Sequence, residues 1–511
     1  MTGIPRRHFL IASLAGVAFA APFGIVRGAP VTFSSDPYTL GVASGCPRED
    51  RVMLWTRLAP HPLEEGGMPD TSVEVEWQVA EDEKFSRIVA RGAERATSEL
   101  AHSVHAEVRG LQPDRVYWYR FRAGTAVSPV GRTRTAPAGH RARVRFAFAS
   151  CQQYEQGFFS AYRDMATRDL DLVVHLGDYI YERSWGARHV RKHDVGIPTT
   201  LAEYRNRYAL YKGDADLQAA HAAFPFLSIW DDHEVTDDYA NDRSYTVRDA
   251  VQFLKIRAAA YQAYYEHMPL PASARPRGAD ATIYAHYRFG DVMDVLLLDD
   301  RQYRSAPACV NGGRPTWTPP CSERVEEART MLGQAQERWF DSRLSDCRAR
   351  WTVVAQQTLM AEDRRRADDG DRYWMDGWDG YPSARRRLVD ALVAHKTRNP
   401  IVIGGDRHAF FAGSMKRDFT RPEEPTVATE FVGTSITSEG PGETTTRKAL
   451  ADNPSLAFAQ GDKRGYATVE LDEKTCTVGF EAVDNVKDIK SGVRRLATFV
   501  VEDGTRGAKA I

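Results

Sequence analysis

Six apolar runs that recur after residue 143 constrain the fold of this chain more than any other feature of its sequence. The runs are short, rich in β-forming residues, and separated by segments with a helical period, such as residues 157–168. They begin at Val144, Leu172, Phe226, Met293, Trp351 and Pro400. Buried strands that alternate with helices predict an α/β layered domain, which we assign to residues 143–500.

The segment before this domain has a different pattern. Runs such as Val73–Val79 and Val116–Phe121 alternate or cluster β-forming residues between Gly, Pro and Asp breakers, and no helical period is present. Gly110–Pro113, directly before a Tyr-rich run, is similar to the corner of a fibronectin- or immunoglobulin-like sandwich. We therefore predict a small all-β sandwich domain at residues 36–137.

Residues 1–29 have the pattern of a targeting segment. Arg6 and Arg7 precede an apolar run from Leu10 to about Ala21, which is too short to span a bilayer. The paired arginines make the segment resemble a twin-arginine signal, although an ordinary Sec signal with two adjacent arginines is the alternative. We expect export by the twin-arginine machinery, a periplasmic or secreted location, and no stable membrane anchor.

Net charge and cysteine content exclude two classes of protein. The chain has 68 Lys and Arg against 69 Asp and Glu, and no long basic block, so a role in coating nucleic acid is not expected. Six cysteines in 511 residues are too few for a disulfide scaffold. Cys309 and Cys321 bracket a Gly/Pro-rich loop and are predicted to form a disulfide, whereas the other candidates for buried thiols or a second bridge are Cys46, Cys347 and Cys476.

Polar side chains with metal-binding or anion-binding chemistry follow each of the six apolar runs. In an α/β sheet the ligand crevice lies beyond the carboxyl ends of the strands, so these side chains should meet at one edge of the sheet. Neutral Asn, Ser and Gly would serve equally well if the segments were only turns. The segments are Ser150–Cys151, Gly177–Tyr181, Asp231–Glu234, Asp299–Arg301, Gln356–Gln357 and Gly404–His408.

The donor types at these positions favour hard metal ions. Carboxylates, a phenol and a thiol supply negative charge, and these positions lack the Cys-x-x-Cys or His-x-x-x-His spacing of a zinc site. Iron(III) suits a tyrosinate, and calcium or manganese suits carboxylates. A site with two ions would explain the surplus of acidic groups, and Asp178 is well placed to bridge them.

At these residues the chain resembles the PhoD-type alkaline phosphatases, a family of the metallophosphoesterase superfamily. The resemblance covers nearly the whole chain. It implies a layered β-sandwich metallophosphoesterase domain with helices outside, preceded by the small all-β domain. The segments that carry it are Gly177–Glu182, Trp230–Val235, Asp300–Arg304, Trp378–Pro382, Gly405–His408 and Glu430–Thr437.

The resemblance also implies a function. The expected protein is a secreted phosphomonoesterase and phosphodiesterase that uses a metal-activated hydroxide at a dinuclear or trinuclear Fe/Ca site. The alternative enzymatic function is that of a phospholipase-D-like phosphodiesterase that acts on lipid head groups. The alternative without enzymatic activity is a surface binding protein with structural calcium. Structural calcium, however, does not need Cys151, Tyr181 or His408.

The ligand set is carried over from the family residue by residue. It implies an Fe(3+) ion held by Cys151, Asp178, Tyr181 and His408. The Ca(2+) site would share Asp178 and add Asp232 and Asp406. Asp231 could replace Asp232, since two adjacent acids cannot be told apart without a backbone. Gln356 or Gln357 stands where the superfamily has a His ligand, which weakens the case for a further ligand there.

Two residues are predicted to act on the substrate. His233, next to a ligand, would protonate the leaving group, or alternatively would only orient Asp232. Arg301 would contact phosphate through its fork of N–H donors, or alternatively would pair with Asp299 or Asp300. Arg407, between two predicted ligands, either points away from the site or touches the substrate.

Overall fold

We describe a computed structural model of the chain, and the description covers residues 32–33 and 35–511. The predicted signal peptide at residues 1–29 lies outside the described residues. In the part of the chain that the structure describes, no helix combines the length and apolar character needed to cross a membrane.

The N-terminal part consists of eight short strands in two sheets. The two sheets enclose a core that includes Leu54, Val75 and Phe121. The hydroxyl of Tyr117 accepts a hydrogen bond from the backbone N–H of Gln112 at 2.9 Å, which closes the predicted corner. The strands are β1 (Val42–Gly45), β2 (Arg51–Arg57), β3 (Val73–Ala80), β4 (Ile88–Ala96), β5 (Ser103–Arg109), β6 (Val116–Ala123), β7 (Ala126–Val127) and β8 (Gly131–Arg134).

The larger part of the chain alternates strands with helices. Its helices are α1 (Ser160–Ala166), α2 (Leu201–Lys212), α3 (Ala215–Ala223), α4 (Ala250–His267), α5 (Gly333–Asp346), α6 (Pro382–Ala394) and α7 (Glu443–Asp452). Its strands are β9 (Arg143–Ala149), β10 (Leu172–His175), β11 (Pro225–Ser228), β12 (Ala285–Phe289), β13 (Met293–Leu297), β14 (Trp317–Thr318), β15 (Trp351–Ala355), β16 (Arg365–Ala367), β17 (Gly370–Trp374), β18 (Pro400–Gly404), β19 (Phe410–Met415), β20 (Ala428–Val432), β21 (Leu456–Gln460), β22 (Arg464–Asp472), β23 (Thr475–Val483), β24 (Val493–Glu502) and β25 (Lys509–Ala510).

Two large sheets form the layers of this part. One has the order β25-β24-β23-β22-β9-β10-β11-β1-β2-β5, and the other has the order β12-β13-β15-β18-β20-β19-β21. Aromatic side chains from both sheets pack against one another between them; the rings of Phe410 and Phe480 are stacked 4.6 Å apart. Helices α5 and α6 cover the outer face of the seven-stranded sheet through a second core that contains Phe340 and Leu388. The protein is a layered β-sandwich with helices outside.

All six predicted apolar runs are strands, but they lie in two sheets rather than along the edge of one. Strands β9, β10 and β11 are parallel neighbours in the first sheet, and β13, β15 and β18 are parallel neighbours in the second. An apolar run reports burial on both faces, not the identity of the strand's partner. The carboxyl ends of both sets still meet, because the side-chain N–H group of Gln357, after β15, donates to the carbonyl of Trp230, after β11, at 2.8 Å.

The first sheet also runs through both parts of the chain. Strand β1 pairs in parallel with β11, so β1, β2 and β5 extend the sheet that carries half of the predicted site. The division into domains at residues 36–137 and 143–500 stays a prediction. The disulfide between Cys309 and Cys321 is confirmed. Of the remaining candidates for a bridge, Cys46 and Cys476 are buried free thiols and Cys347 is a partly exposed one.

Candidate metal centre

Four of the predicted ligands lie in left-handed backbone directly after a strand. The φ angles are 60° at Cys151, 56° at Asp178, 59° at Asp406 and 51° at His408. Positive φ costs a non-glycine residue about 1 kcal/mol or more and is concentrated at functional sites.

The first group of predicted ligands converges. Donor atoms of Cys151, Asp178 and His408 all lie within 4.8 Å of one another. The hydroxyl of Tyr181 is 2.7 Å from Asp178 Oδ2 and 3.2 Å from His408 Nε2. The Nδ1 of His408 is 2.8 Å from the carbonyl oxygen of Glu439, which can only accept, so Nδ1 carries the proton and Nε2 is free to bind a metal.

A second group of acidic residues adjoins the first. Donor atoms of Asp231, Asp232 and Asp406 lie within 4.8 Å of one another, and so do those of Asp178, Asp232 and His233. Asp178 therefore belongs to a group on each side, which is the position a bridging carboxylate needs. Both Asp231 and Asp232 are in reach of this group, so the geometry keeps either as a ligand.

Unpaired oxygen atoms indicate that the centre fits cations. Among the described residues, Asp178 Oδ1 and Asp231 Oδ2 are buried and have no hydrogen-bond donor, and the buried Asp232 Oδ1 makes no hydrogen bond but lies 3.3 Å from Arg301 Nη2. A buried carboxylate oxygen without a donor is costly, and a bound cation would remove that cost. The mixed set of thiol, phenol, imidazole and carboxylates can hold more than one ion.

Burial controls the protonation of these groups when no ion is bound. Burial, and then the charge of Asp178, raises the pKa values of the Cys151 thiol and the Tyr181 hydroxyl well above their usual range. Burial, and then the Arg464 guanidinium, lowers the pKa of His408 to about 3. His408 is thus a neutral ligand at physiological pH, whereas a metal must displace protons from Cys151 and Tyr181.

Glu234, which the sequence did not single out, joins two of the ligand loops. Its Oε2 accepts hydrogen bonds from the backbone N–H groups of Asp178 at 3.0 Å and Asp231 at 2.7 Å. Its Oε1 accepts from the backbone N–H of Tyr179 at 2.6 Å, and the residue is fully buried. One carboxylate therefore fixes the loops after β10 and β11 against each other. The sequence feature that could have indicated this role is the position of Glu234 three residues after Asp231.

Gly177 allows these loops to approach closely. A Cβ atom at this position would lie 2.4 Å from Asp231 Cβ and 2.5 Å from the Asp231 nitrogen, and the φ angle is +104°. Both the contact and the backbone conformation exclude a larger residue.

His233 lies beside the ligands and lines the cleft that opens over them. Its Nδ1 is 2.6 Å from Glu182 Oε2, which fixes the ring. Its Nε2 is 4.0 Å from Asp232 Oδ2 and 3.7 Å from Asp237 Oδ1. Although burial opposes it, the charges of Glu182, Asp232 and Asp178 raise the pKa of His233 well above its ordinary value.

Arg301 lies beneath the acidic group and not in the open cleft. The residue is 1 % exposed, its Nε donates to Asp231, and its Nη1 is 2.7 Å from Asp376 Oδ2. Its Nη2 is 3.3 Å from Asp232 Oδ1. The predicted contact with phosphate is not supported by this geometry, because each nitrogen of the guanidinium is paired with a carboxylate. The sequence could not show that the end of β13 lies under the loop after β11.

Asp299 and Asp300, the predicted alternative partners of Arg301, do not form ion pairs with its guanidinium either. Asp299 accepts the backbone N–H of Arg301, at 3.0 Å, and N–H groups of Gln302, but not the Arg301 guanidinium. The two oxygens of Asp300 have no donor among the described residues, and burial raises its pKa to about 7.

Three further residues of the ligand loops have structural contacts. The side chain of Gln356 accepts from the indole of Trp378 at 3.0 Å, and that of Gln357 accepts from the backbone of Asp300 at 3.2 Å. Neither is directed at the centre. Arg407 points away from it, because its Nη2 is 2.6 Å from Asp363 Oδ2.

A cleft of about 230 Å³ opens over the centre. Its walls carry cationic and aromatic side chains that were not among the predicted site residues. They are Arg183, Trp185, Arg314 and Trp374, and with them Asp237 and Asp238. Trp378 and Tyr381, from the segment Trp378–Pro382 that carries the family resemblance, are buried in the core.

Comparison with known proteins identifies the family. Residues 146–480 match the model of the PhoD-like phosphatases, and residues 26–137 match the model of the N-terminal domain of PhoD-like phosphatases. The chain belongs to the PhoD-like phosphatase family.

Individual relatives agree with this assignment. The chain is 43% identical to alkaline phosphatase D of Bacillus subtilis (strain 168) over 526 residues, which cover 99% of this chain and 89% of the relative. A solved structure described as "Structure of PhoD" superposes with a TM-score of 0.91 and 44% identity, covering 94% of this chain and 93% of that chain. The protein is a phosphoric ester hydrolase of the alkaline phosphatase D type.

Proposed function

We propose that the protein is an exported phosphomonoesterase and phosphodiesterase that works with iron(III) and calcium. The observation that carries this proposal is the convergence of Cys151, Tyr181 and His408 on one side of Asp178 and of Asp232 and Asp406 on the other. Thiolate and phenolate suit iron(III), and the carboxylates suit calcium.

The protein residues would hold these ions in two connected sets. Cys151, Tyr181 and His408 would bind iron, Asp232 and Asp406 would bind calcium, and Asp178 would contribute to both sets. When bound, the ions supply an acidified water molecule and neutralise the charge on the phosphate oxygens. Arg301 and Glu234 act as positioning residues, because they hold the acidic loops from below.

His233 is the proposed proton donor to the leaving group. Glu182 accepts a hydrogen bond from Nδ1 at 2.6 Å, so Nε2 can present its proton to the cleft. A protonated imidazole at this place can transfer a proton to the departing oxygen. The alternative role, in which His233 only orients Asp232, has weaker support, because the closest approach is 4.0 Å.

Leaving-group chemistry tests the role of His233. His233→Asn should lower kcat by about 10²–10⁴-fold for an alkyl phosphate, whose leaving group needs a proton, and much less for p-nitrophenyl phosphate. His395→Asn is the matched control, because His395 also pairs with a carboxylate, Asp341, at 2.8 Å on another surface. Equal losses for both substrates, or full activity with normal metal content, would contradict the proposal.

The proposed location is periplasmic or secreted after twin-arginine export. Its support is the sequence of residues 1–29, in particular Arg6 and Arg7 before the apolar run. That route carries folded proteins, so the metal centre would be complete before export. Replacement of both arginines by lysine should retain the protein in the cytoplasm, and unchanged export would favour the Sec alternative.

Metal analysis and a substrate panel test the function as a whole. We expect iron and calcium in the purified protein, and turnover of both p-nitrophenyl phosphate and its bis-ester. Preferential hydrolysis of phosphatidylcholine would instead favour the phospholipase-D-like alternative. A calcium-only protein without turnover would favour the surface binding protein.

A further inference from the structure

We infer that Arg314, carried over the cleft by the loop that the Cys309–Cys321 disulfide closes, binds the phosphoryl oxygens of the substrate. This inference rests on the proposed function, since it names a substrate contact of the same site. It follows from three observations: how the loop is held, how loosely the guanidinium is paired, and which groups face it.

The loop is fixed on both sides of Arg314. The disulfide closes it at Cys309 and Cys321. The backbone N–H of Gly313 donates to the carbonyl of Val310 at 2.9 Å, which makes a turn directly before Arg314. After Arg314 the chain forms β14, which pairs with β17 and so sets Trp317 opposite Trp374, a wall residue of the cleft. The loop therefore presents Arg314 from a defined position.

The guanidinium of Arg314 is only loosely paired. Its Nε is 3.4 Å from Asp238 Oδ2, and its Nη2 is 3.4 Å from Asp237 Oδ2. Strong charge-assisted hydrogen bonds are about 2.7–2.9 Å long, so these contacts leave donors available. The side chain of Arg314 is 51% exposed, whereas that of Arg301 is 2% exposed and is surrounded by carboxylates.

The position of Arg314 suits a phosphate bound at the centre. The same cleft is lined by Arg314, by Asp178, Asp232, Asp406 and His408 of the metal centre, and by His233. A guanidinium fork matches two oxygens of a phosphate, and the negative charge on the phosphoryl group is spread over such oxygens. Arg183 also faces the cleft, but its Nη1 is held closer, at 3.1 Å from Asp237 Oδ2. Arg314 thus takes the substrate-binding role for which Arg301 is too deeply buried.

Binding of inorganic phosphate to the metal-loaded enzyme tests this inference directly. Arg314→Gln should weaken phosphate binding, measured by calorimetry, by about 10- to 100-fold, and should lower kcat/KM by a similar factor. Metal content should not change. Arg314→Lys should recover part of the affinity, because lysine keeps the charge without the fork. Arg417→Gln is the matched control, since Arg417 is also 51% exposed and pairs with Asp390; it should bind phosphate like the wild type.

A second variant tests the role of the loop. The double substitution Cys309→Ser and Cys321→Ser should weaken phosphate binding while Arg314 is still present, because the loop loses its covalent closure. Unchanged phosphate affinity in Arg314→Gln, or loss of metal from it, would overturn the assignment of Arg314. Unchanged affinity in the double variant would overturn the assignment of the loop. Failure of the proposed function would differ from both, because the wild type would then bind phosphate without hydrolysing any ester.

Discussion

Replacement of Glu234 by glutamine should loosen the metal centre without touching a ligand. In Glu234→Gln one oxygen becomes an NH2 group. If the remaining oxygen keeps the hydrogen bonds from Asp178 and Asp231, the new NH2 group faces the N–H of Tyr179, which now lies 2.6 Å from Oε1. A buried donor without an acceptor costs about 1–3 kcal/mol, so the free energy of unfolding should fall by about 2 kcal/mol.

The assay separates stability from metal binding. Urea unfolding in the presence of a chelator should show the lower stability of Glu234→Gln in the metal-free protein. Metal affinity should fall by about 10- to 100-fold, as for other groups that orient ligands. Glu76→Gln on the exposed face of β3 is the control and should behave like the wild type. Equal urea midpoints for Glu234→Gln and the wild type would refute the claim that Glu234 joins the two loops.

Three further changes have definite expected results. Gly177→Ala should abolish tight metal binding, measured by elemental analysis, because its Cβ would lie 2.4 Å from Asp231 Cβ; normal metal content would contradict this. Burial lowers the pKa of Lys212 from 10.5 to about 7. Between these values the unfolded chain binds the Lys212 proton more tightly than the folded chain, so the free energy of unfolding rises with pH. Lys212→Met should flatten this rise in urea unfolding at about pH 7 and about pH 10, and an identical slope would contradict it. Arg301→Gln should reduce metal content along with activity, whereas lower activity at full metal content would restore a direct substrate role.

Much of the fold could be predicted because it depends on local patterns. The six apolar runs are all strands, and donor groups from the loops after β9, β10, β11 and β18 converge, whereas Gln356 and Gln357 after β15 have structural partners. The disulfide could be predicted from two cysteines around a short Gly/Pro-rich loop together with the expectation of export. The pairing of strands into two sheets could not, since burial on both faces looks the same in either sheet.

The side chains that surround the ligands could not be predicted either, because their contacts join distant parts of the sequence. Arg301 and Asp376 are 75 positions apart in the sequence, yet their side chains form an ion pair of 2.7 Å. Arg314 reaches the cleft from a loop that has no metal ligand in it. Such contacts depend on how separate loops pack against one another, and neither apolar period nor residue type reports that packing.

Visible absorption of the purified enzyme tests the central claim most directly. If Tyr181 binds iron(III), the wild type should show a phenolate-to-iron charge-transfer band. Tyr181→Phe should lose this band while retaining iron through Cys151, Asp178 and His408. A colourless wild-type enzyme that is fully active without iron, or a spectrum that Tyr181→Phe leaves unchanged, would contradict the account.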